Sequence, residues 1–233
     1  MRIFIGFDPR EAAAAEVARK SLCEVTQDEI EPEMLCMPKL VDQGLLSRRV
    51  IDQRGGQDYD LMSNAVQSTR FAISRFLTPI LCQSGYALFV DSDVVFLRDP
   101  RAMTLEVSAN HAVSVVKHGG DVSPGAWKMV NQKQEPYLRK NWSSVMLFNC
   151  DHAANRRLSL RDVNERPGRD LHRFYWLHDS EIGELRPYWN WLVDVQPRPK
   201  SLGIAHMTLG GDWLDGWVGG SFDEEWRAAR DRK

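Results

Sequence analysis

Apolar residues in this chain fall into short continuous runs bounded by glycine, proline or charged residues, a pattern that predicts buried strands. The predicted strands are 2–7, 33–37, 86–90, 111–117, 144–148 and 202–206. Residues 9–22 and 63–76 carry apolar side chains at helical spacing, which predicts two helices. Residues 39–59 hold glycines and many charges and predict irregular structure, whereas 151–199 predicts short helices and turns. This order predicts an α/β fold with a loop-rich second half.

The composition limits the classes of protein to which the chain can belong. Its 233 residues include 30 basic and 32 acidic side chains, so we expect one domain over residues 1–233 and no nucleic-acid partner. The first residues are too short an apolar stretch for a signal peptide, and no run reaches the roughly 18–20 apolar residues that span a bilayer. We therefore expect a cytoplasmic protein without an integral membrane segment, with membrane contact only peripheral.

The positions of the cysteines and tryptophans indicate mainly which of these side chains are buried. The cysteines are widely separated and form no C-x-x-C pair, so we expect buried thiols rather than a zinc site or a disulfide framework. Most tryptophans of the second half are expected in the core. Trp189 and Trp213 are the candidates for a binding wall, since aromatic faces stack on the C–H side of sugars.

The sharpest chemical signal is an acidic pair at the end of the strand predicted over 86–90. Asp91 and Asp93 are two positions apart, so in an extended chain both carboxylates face one side, with Cα atoms about 6.5 Å apart. Ligands of open α/β sheets bind beyond the carboxyl ends of strands. Two carboxylates there suit Mg²⁺ or Mn²⁺, which keep positions open for substrate phosphates. The alternative is an Asp-rich turn, but two acids flanked by apolar residues are costly without a cation.

A second signal follows the strand predicted over 202–206. His206 ends this apolar stretch, and Gly210 and Gly211 come shortly after it. The imidazole could supply a third metal ligand, and the glycines could place backbone N–H groups near a phosphate. A single histidine is more often structural, and only its combination with Asp91 and Asp93 favours a metal site.

Several segments occur in an order that is found in one known family. They are the N-terminal strand ending in an acid, 74–79, 89–97 with its Asp-x-Asp, 144–149, 179–182 and 206–213. In these segments the chain resembles the family 8 glycosyltransferases, the group containing glycogenin and bacterial lipopolysaccharide galactosyltransferases. The resemblance implies a GT-A (Rossmann-like) fold with a mixed, mainly parallel central sheet flanked by helices. It also implies a retaining hexosyltransferase that uses a nucleotide-diphosphate sugar, usually UDP-linked, a divalent ion, often Mn²⁺, and a saccharide or other hydroxyl acceptor.

Carried over position by position, the resemblance implies roles for individual residues. The implied metal ligands are Asp91, Asp93 and His206. The residues implied to contact the donor are Phe7, Asp8, Asp91, Ser92, Arg75, Gly210 and Gly211. The residues implied to be catalytic, at the sugar or the diphosphate, are Asp179, Asn149 and Arg75.

Several of these residues have a structural alternative. Asp8 could cap the helix that begins near Pro9, and Asp179 could cap a short helix. Arg75 could be solvated or salt-bridged, and Asn149 could be a turn residue after a strand.

Two other function classes stay open at this point. A phosphatase of the haloacid dehalogenase type would use Asp91 as nucleophile and Asp93 as general acid, with a late Gly-Asp-x-x-Asp formed by 211–215. A non-catalytic nucleotide-sugar or carbohydrate-binding module is the other alternative. It is favoured by Gly211-Asp212 in place of the family's common Lys-Pro and by Ser180 in place of its usual Gln.

Overall fold

The computed structural model describes residues 1–53, 57–119, 139 and 141–232, and its central feature is a six-stranded sheet. The strands in chain order are β1 (Arg2–Phe7), β2 (Glu33–Cys36), β3 (Val50–Gln53), β4 (Gln57–Asp60), β5 (Ala65–Val66), β6 (Tyr86–Val90), β7 (Val94–Phe96), β8 (Val113–Val115), β9 (Val145–Asn149), β10 (Ile182–Glu184), β11 (Trp191–Leu192) and β12 (Ile204–His206). The central sheet has the order β10-β8-β9-β6-β1-β2. β9 is antiparallel to both neighbours, and the other five strands share one direction. The predicted mixed, mainly parallel sheet is therefore confirmed.

Helices cover this sheet, as predicted. They are α1 (Ala12–Val25), α2 (Met37–Asp42), α3 (Thr78–Cys82), α4 (Leu160–Glu165), α5 (Gly168–His172) and α6 (Asp223–Asp231). α1 packs against β1, β7 and α6, whereas α3 packs against β6 and β9. Among the described residues no helix is both long and apolar enough to cross a membrane.

Alternation along the strands divides the core into two layers. In β1, Phe4 belongs to the layer that contains α3 and α5, and Ile3 and Ile5 belong to the layer beneath α1. In β6, Phe89 and Val90 are divided in the same way. A strand buried on both faces must be apolar at every position, which explains the continuous apolar runs.

Two small sheets flank the central one. The first has the order β11-β12-β7, and antiparallel pairing of β12 with β7 sets His206 opposite Val94. The second is the antiparallel sheet β3-β4-β5. The first small sheet therefore places the end of β12 beside the acidic pair that precedes β7.

The helix predicted over 63–76 does not form. The segment contains turns, the short strand β5 and the start of a 3-10 helix at Ser74–Leu77. Ser63 accepts a hydrogen bond from the Gly168 N–H at 2.8 Å, and the Phe71 ring packs so closely on Gly6 that an added Cβ would lie 2.3 Å from it. These tertiary contacts override the helical spacing of the apolar residues.

The prediction of irregular structure over 39–59 is also wrong. α2 covers its start, and β3 and β4 pair across residues 54–56, which lie outside the described residues. The buried Arg48 forms an ion pair with Asp60 and donates to the carbonyl oxygens of Val163 and Arg166 at 2.9 and 2.8 Å. A buried guanidinium with these partners fixes the hairpin to the body of the protein.

The four cysteines are free thiols, which fits the prediction of no disulfide framework. Cys23 and Cys150 are buried as expected, but Cys36 and Cys82 are partly exposed. Trp189 is 0% exposed, so the prediction that it lines a binding wall is wrong. Trp213 is partly exposed and stays a candidate for that wall.

Candidate active site

The two acids and the histidine meet at the carboxyl end of β6. Asp91 follows β6 directly, and its backbone N–H donates to the Ser144 carbonyl oxygen at 2.9 Å. Asp93 precedes β7, and its carbonyl oxygen accepts from the Met207 N–H at 2.9 Å. One ligand atom from each of Asp91, Asp93 and His206 lies within 4.8 Å of the other two. The structure thus brings together the three residues expected to hold a metal ion.

Arg75 holds Asp91 in place. Its Nη1 lies 2.9 Å from Asp91 Oδ1 and donates to the Ser143 carbonyl oxygen at 2.8 Å. The guanidinium packs on the Phe71 and Phe89 rings, with centroids at 5.2 and 5.1 Å. The side chain is buried, so the solvated alternative for Arg75 is wrong and the salt-bridged one is confirmed.

Asn190 determines which nitrogen of His206 carries a proton. Asn190 Nδ2 donates to Ser144 Oγ at 2.9 Å and to the Asn141 carbonyl oxygen at 3.4 Å. Its Oδ1 is therefore the atom 2.9 Å from His206 Nδ1, and that nitrogen must donate to it. His206 Nε2 lies 3.2 Å from Asp93 Oδ1. A lone pair would face a carboxylate there unless a proton or a cation lies between the two atoms.

Asp8 lies at the same edge, after β1, and is 0% exposed. Its oxygens accept from the Arg10 and Arg70 backbone N–H groups, both at 3.0 Å, and from the Arg10 guanidinium. Burial alone would raise the pKa of Asp8, but these hydrogen bonds hold it below its ordinary value. The helix-capping alternative is confirmed for Asp8. Contact of Asp8 and the half-buried Phe7 with a nucleoside stays a prediction.

Ser92, between the two acids, is engaged inside the fold. Its Oγ donates to the Glu11 carboxylate, and both side chains are buried. Burial, reinforced by the charge of Asp93, raises the pKa of Glu11 to about 8. The Ser92 hydroxyl therefore bonds a carboxyl group under the acidic pair, and donor contact by this residue stays a prediction.

We expect Glu11 to contribute a fall in the free energy of unfolding between pH 5 and pH 8, and Glu11→Gln to remove that contribution from the pH profile. The folded-state pKa of Glu11, about 8, lies above the unfolded value of about 4.3, so over this range only the folded protein binds the proton. Its stabilisation is present at low pH and is lost as the pH rises through 8. Glutamine keeps an acceptor for Ser92 but does not titrate. Urea unfolding in chelator should show a difference on the order of 3 kcal/mol, and equal pH slopes would contradict it.

Gly210 closes a turn after β12, and Gly211 follows it. Gly210 has a φ of 111°, and its N–H donates to the Met207 carbonyl oxygen at 2.8 Å, so that N–H is already engaged. At Gly211 an added Cβ would lie 2.1 Å from the Trp213 ring. Backbone conformation at the first position and packing at the second both require glycine. Contact of this turn with a phosphate stays a prediction.

Asn149 lies at the opposite edge of the sheet from this cluster. β9 is antiparallel to β6, so Asn149 pairs with Tyr86 at the beginning of β6, whereas Asp91 follows its end. Its Nδ2 donates to the Ala109 carbonyl oxygen at 3.1 Å. The strand that carries Asn149 runs in the reverse direction, and contact of Asn149 with a sugar hydroxyl stays a prediction.

Asp179 lies at that opposite edge as well. It begins a 3-10 helix, Asp179–Glu181, which leads into β10, a strand with the direction of β8 and β6. The Glu181 carbonyl oxygen accepts from Ala112 N–H, before β8 begins. The Asp179 side chain is 90% exposed and pairs with Arg139. A role of Asp179 at the sugar stays a prediction.

We call the edge of the sheet that carries Asp91, Asp93 and His206 the active edge. Three residues at this edge were not predicted from the sequence, namely Asn190, Asn141 and His118. Asn190 is 0% exposed, Asn141 has a left-handed backbone with φ 62°, and His118 is 5% exposed. His118 follows the apolar run 111–117, the same signal that singled out Asp91. A polar residue directly after a predicted strand is therefore the signal by which His118 could have been identified.

No known protein-family profile matches the sequence. Protein CDI of Arabidopsis thaliana is 37% identical over 235 residues, covering 97% of this chain and 84% of that protein. The chain belongs to the Protein CDI family.

The CDI-family chain shares its fold with solved glycosyltransferases. The WbbM bifunctional glycosyltransferase superposes with a TM-score of 0.62 at 14% identity, over 100% of this chain and 50% of WbbM. Glycosyltransferase GlyE of Streptococcus pneumoniae TIGR4 gives 0.59 at 12% identity, over 100% of this chain and 60% of GlyE. Galactosyltransferase LgtC, in complex with donor and acceptor sugar analogs, gives 0.56 at 14% identity, over 99% of this chain and 95% of LgtC. The chain thus spans only half of WbbM and three-fifths of GlyE. The predicted GT-A fold is confirmed, and membership of family 8 stays a prediction.

In the CDI-family chain, one acid of the phosphatase motif is engaged away from the acidic pair. That alternative requires an acid of the 211–215 segment beside Asp91. Asp212 instead pairs with Arg227 and Arg230 of α6, at 2.9 and 3.4 Å, and Asp215 is exposed.

Proposed function

We propose that this protein is a metal-dependent glycosyltransferase. It transfers a hexose from a nucleotide-diphosphate sugar, with UDP as the expected nucleotide, to a hydroxyl of a saccharide or other acceptor. The GT-A fold shared with solved glycosyltransferases supports the reaction class. The resemblance to family 8 supports a retaining course.

The observation that carries the proposal is the orientation of His206. Asn190 fixes a proton on Nδ1, which leaves Nε2, 3.2 Å from Asp93 Oδ1, as the ring atom that would bind a cation. Metal-ligating histidines commonly donate their second ring nitrogen to such a partner. Two carboxylates and one imidazole suit Mn²⁺, and also Mg²⁺ less closely, since imidazole favours transition metals. We infer that Asp91, Asp93 and His206 hold the cation.

The described residues then have distinct tasks. Arg75 keeps the Asp91 carboxylate oriented and brings positive charge to the edge where a diphosphate would lie. When bound, the cation would act as a Lewis acid on the departing diphosphate. Gly211 and the end of β1 at Phe7 and Asp8 are the proposed contacts for the phosphates and the nucleoside.

Thermal unfolding with nucleotide diphosphates tests the proposal. UDP, ADP and GDP are each added with Mn²⁺, with Mg²⁺ or with EDTA. A ligand that binds only the folded state at about 100 times its Kd stabilises it by about 2.7 kcal/mol, so we expect one nucleotide to raise Tm only with the cation present. Slow cation-dependent release of UDP from UDP-sugars would separate a transferase from a non-catalytic module. Equal Tm values with Mn²⁺ and with EDTA for every nucleotide would refute the metal site.

We expect Asn190→Ala to weaken Mn²⁺ binding by roughly 10–100-fold, the usual effect of removing a residue that orients a metal ligand. Without the Asn190 carbonyl, His206 loses the acceptor that fixes its tautomer. Isothermal titration with Mn²⁺ measures the change, and Asn110→Ala, at an exposed position, is the matched control. Unchanged Mn²⁺ affinity in a folded Asn190→Ala protein would contradict the assignment.

A further inference from the structure

His118 is a buried imidazole beside the metal-binding residues that the site described above does not use. It follows β8 at the active edge and is 5% exposed. The backbone N–H of His118 donates to the Val116 carbonyl oxygen at 3.0 Å, and the backbone carbonyl oxygen of His118 accepts from Trp142 Nε1 at 3.3 Å. The backbone around this residue is therefore held on both sides.

The hydrogen bonds of Gln196 establish which ring nitrogen of His118 carries the proton. Gln196 Oε1 accepts from the Leu192 N–H at 3.4 Å, which identifies the oxygen end of the amide. The nitrogen end, Nε2, therefore donates to His118 Nδ1 at 3.1 Å. Burial lowers the pKa of His118 to about 4, so the ring is neutral at pH 7. A neutral ring that accepts at Nδ1 must carry its proton on Nε2.

The His118 Nε2–H group has no acceptor in the part of the chain that the structure describes. His118 Nε2 is buried and has no hydrogen-bond partner among the residues that the structure describes, and the same is true of the Asn141 amide nitrogen. Buried donors in native proteins are nearly always paired. A bound ligand is therefore the expected acceptor for a buried donor that has none among these residues. Asn141 is linked to His206 through Asn190, which bonds both. The His118 ring and the Asn141 backbone thus both lie near His206, and each residue has a buried donor without a partner among the described residues.

We propose that His118 Nε2–H donates to a hydroxyl of the sugar that is transferred, and that it determines which sugar the enzyme accepts. The inference rests on the proposed function and extends it to the donor sugar. A neutral N–H matches an uncharged hydroxyl, whereas the diphosphate is met by the cation and Arg75. The sugar is joined to that diphosphate, so it must lie close to His206. A sugar without a hydroxyl at this position would leave the buried N–H group unpaired. The free-energy cost would weaken the binding of that sugar relative to the preferred one.

The test compares UDP with UDP-sugars in the presence of Mn²⁺. Isothermal titration gives Kd for UDP, UDP-glucose, UDP-galactose and UDP-N-acetylglucosamine with the wild type and with His118→Phe, which keeps a ring but has no N–H. We expect the Kd for UDP to change less than twofold and the Kd for the preferred UDP-sugar to rise roughly tenfold or more. His118→Gln, whose amide nitrogen can reach the Nε2 position, should recover part of the loss and serves as the second variant if His118→Phe does not fold. His178→Phe, at the opposite edge, is the matched control.

Deoxy analogues of the preferred UDP-sugar identify the hydroxyl. In a double-mutant cycle, one deoxy analogue should bind wild type and His118→Phe equally, because the contact is already absent. Equal weakening of UDP and UDP-sugar by His118→Phe would show a structural role and overturn the inference, as would unchanged binding of both. If the wild type binds none of the nucleotides with Mn²⁺, the proposed function itself fails, which is a different result from either.

Discussion

Asp93→Ala is expected to abolish cation-dependent nucleotide binding and to lower kcat/KM for sugar transfer by about a thousandfold or more. Asp93 is the carboxylate that faces His206 Nε2, so its removal takes away one of three inferred ligands and leaves the imidazole without a counterpart. The departing diphosphate would then develop charge without a Lewis acid beside it. Stopped assays of UDP release and thermal unfolding with Mn²⁺ and UDP measure both effects.

Asp215→Ala is the matched control for this variant. It makes the same substitution at an exposed acid of the loop that follows β12, so it should leave nucleotide binding and turnover unchanged. If Asp93→Ala kept full activity, or if the wild type worked equally well in excess chelator, a metal centre at this edge would be excluded.

Trp189→Ala is expected to lower the free energy of unfolding by about 3–5 kcal/mol, the usual cost of deleting a fully buried large aromatic side chain. The Trp189 ring is 0% exposed and packs so tightly on Gly203 that an added Cβ there would lie 2.5 Å from it. Its Nε1 also donates to Glu106 at 3.2 Å, and truncation would leave that carboxylate without the bond. Urea unfolding followed by circular dichroism measures the loss.

Trp217→Ala provides the comparison. Trp217 is only half-buried, and its Nε1 donates to Asp223 at 2.9 Å, so we expect a loss of about 1 kcal/mol. An acceptor-binding role for Trp189 would give the reverse pattern, with unchanged stability and a raised KM for the acceptor alone. That pattern would show that the ring becomes accessible during turnover.

Local pattern was sufficient to find the three residues that we infer to be cation ligands. Asp91 and Asp93 stand two apart at the end of an apolar run, and His206 ends another, so each could be assigned to a strand terminus without knowledge of the partner strands. Which termini meet depends on strand direction. Asn149 also ends an apolar run, but β9 is reversed, and its side chain belongs to the far edge. Nothing in the sequence of β9 itself encodes its direction.

The apolar spacing of residues 63–76 was misleading for a related reason. Phe71, Ile73 and Phe76 are all buried, and they are held by packing against β1 and the surrounding layer rather than along a helix face. Ser144 sets the amide orientation of Asn190, and Gln196 sets the tautomer of His118. Such tautomer control requires contacts between residues distant in the chain, which periodicity does not report.

The last helix has a practical consequence for work with this protein. Trp226 of α6 packs in one apolar cluster with Val95 of β7 and Ala205 of β12, the strands that carry or adjoin the inferred cation ligands. A purification tag or fusion partner joined immediately after α6 would therefore disturb the packing of α6 against those strands. A flexible spacer should precede it, and trimming the C-terminal end back beyond Trp226 should cost cation affinity as well as solubility.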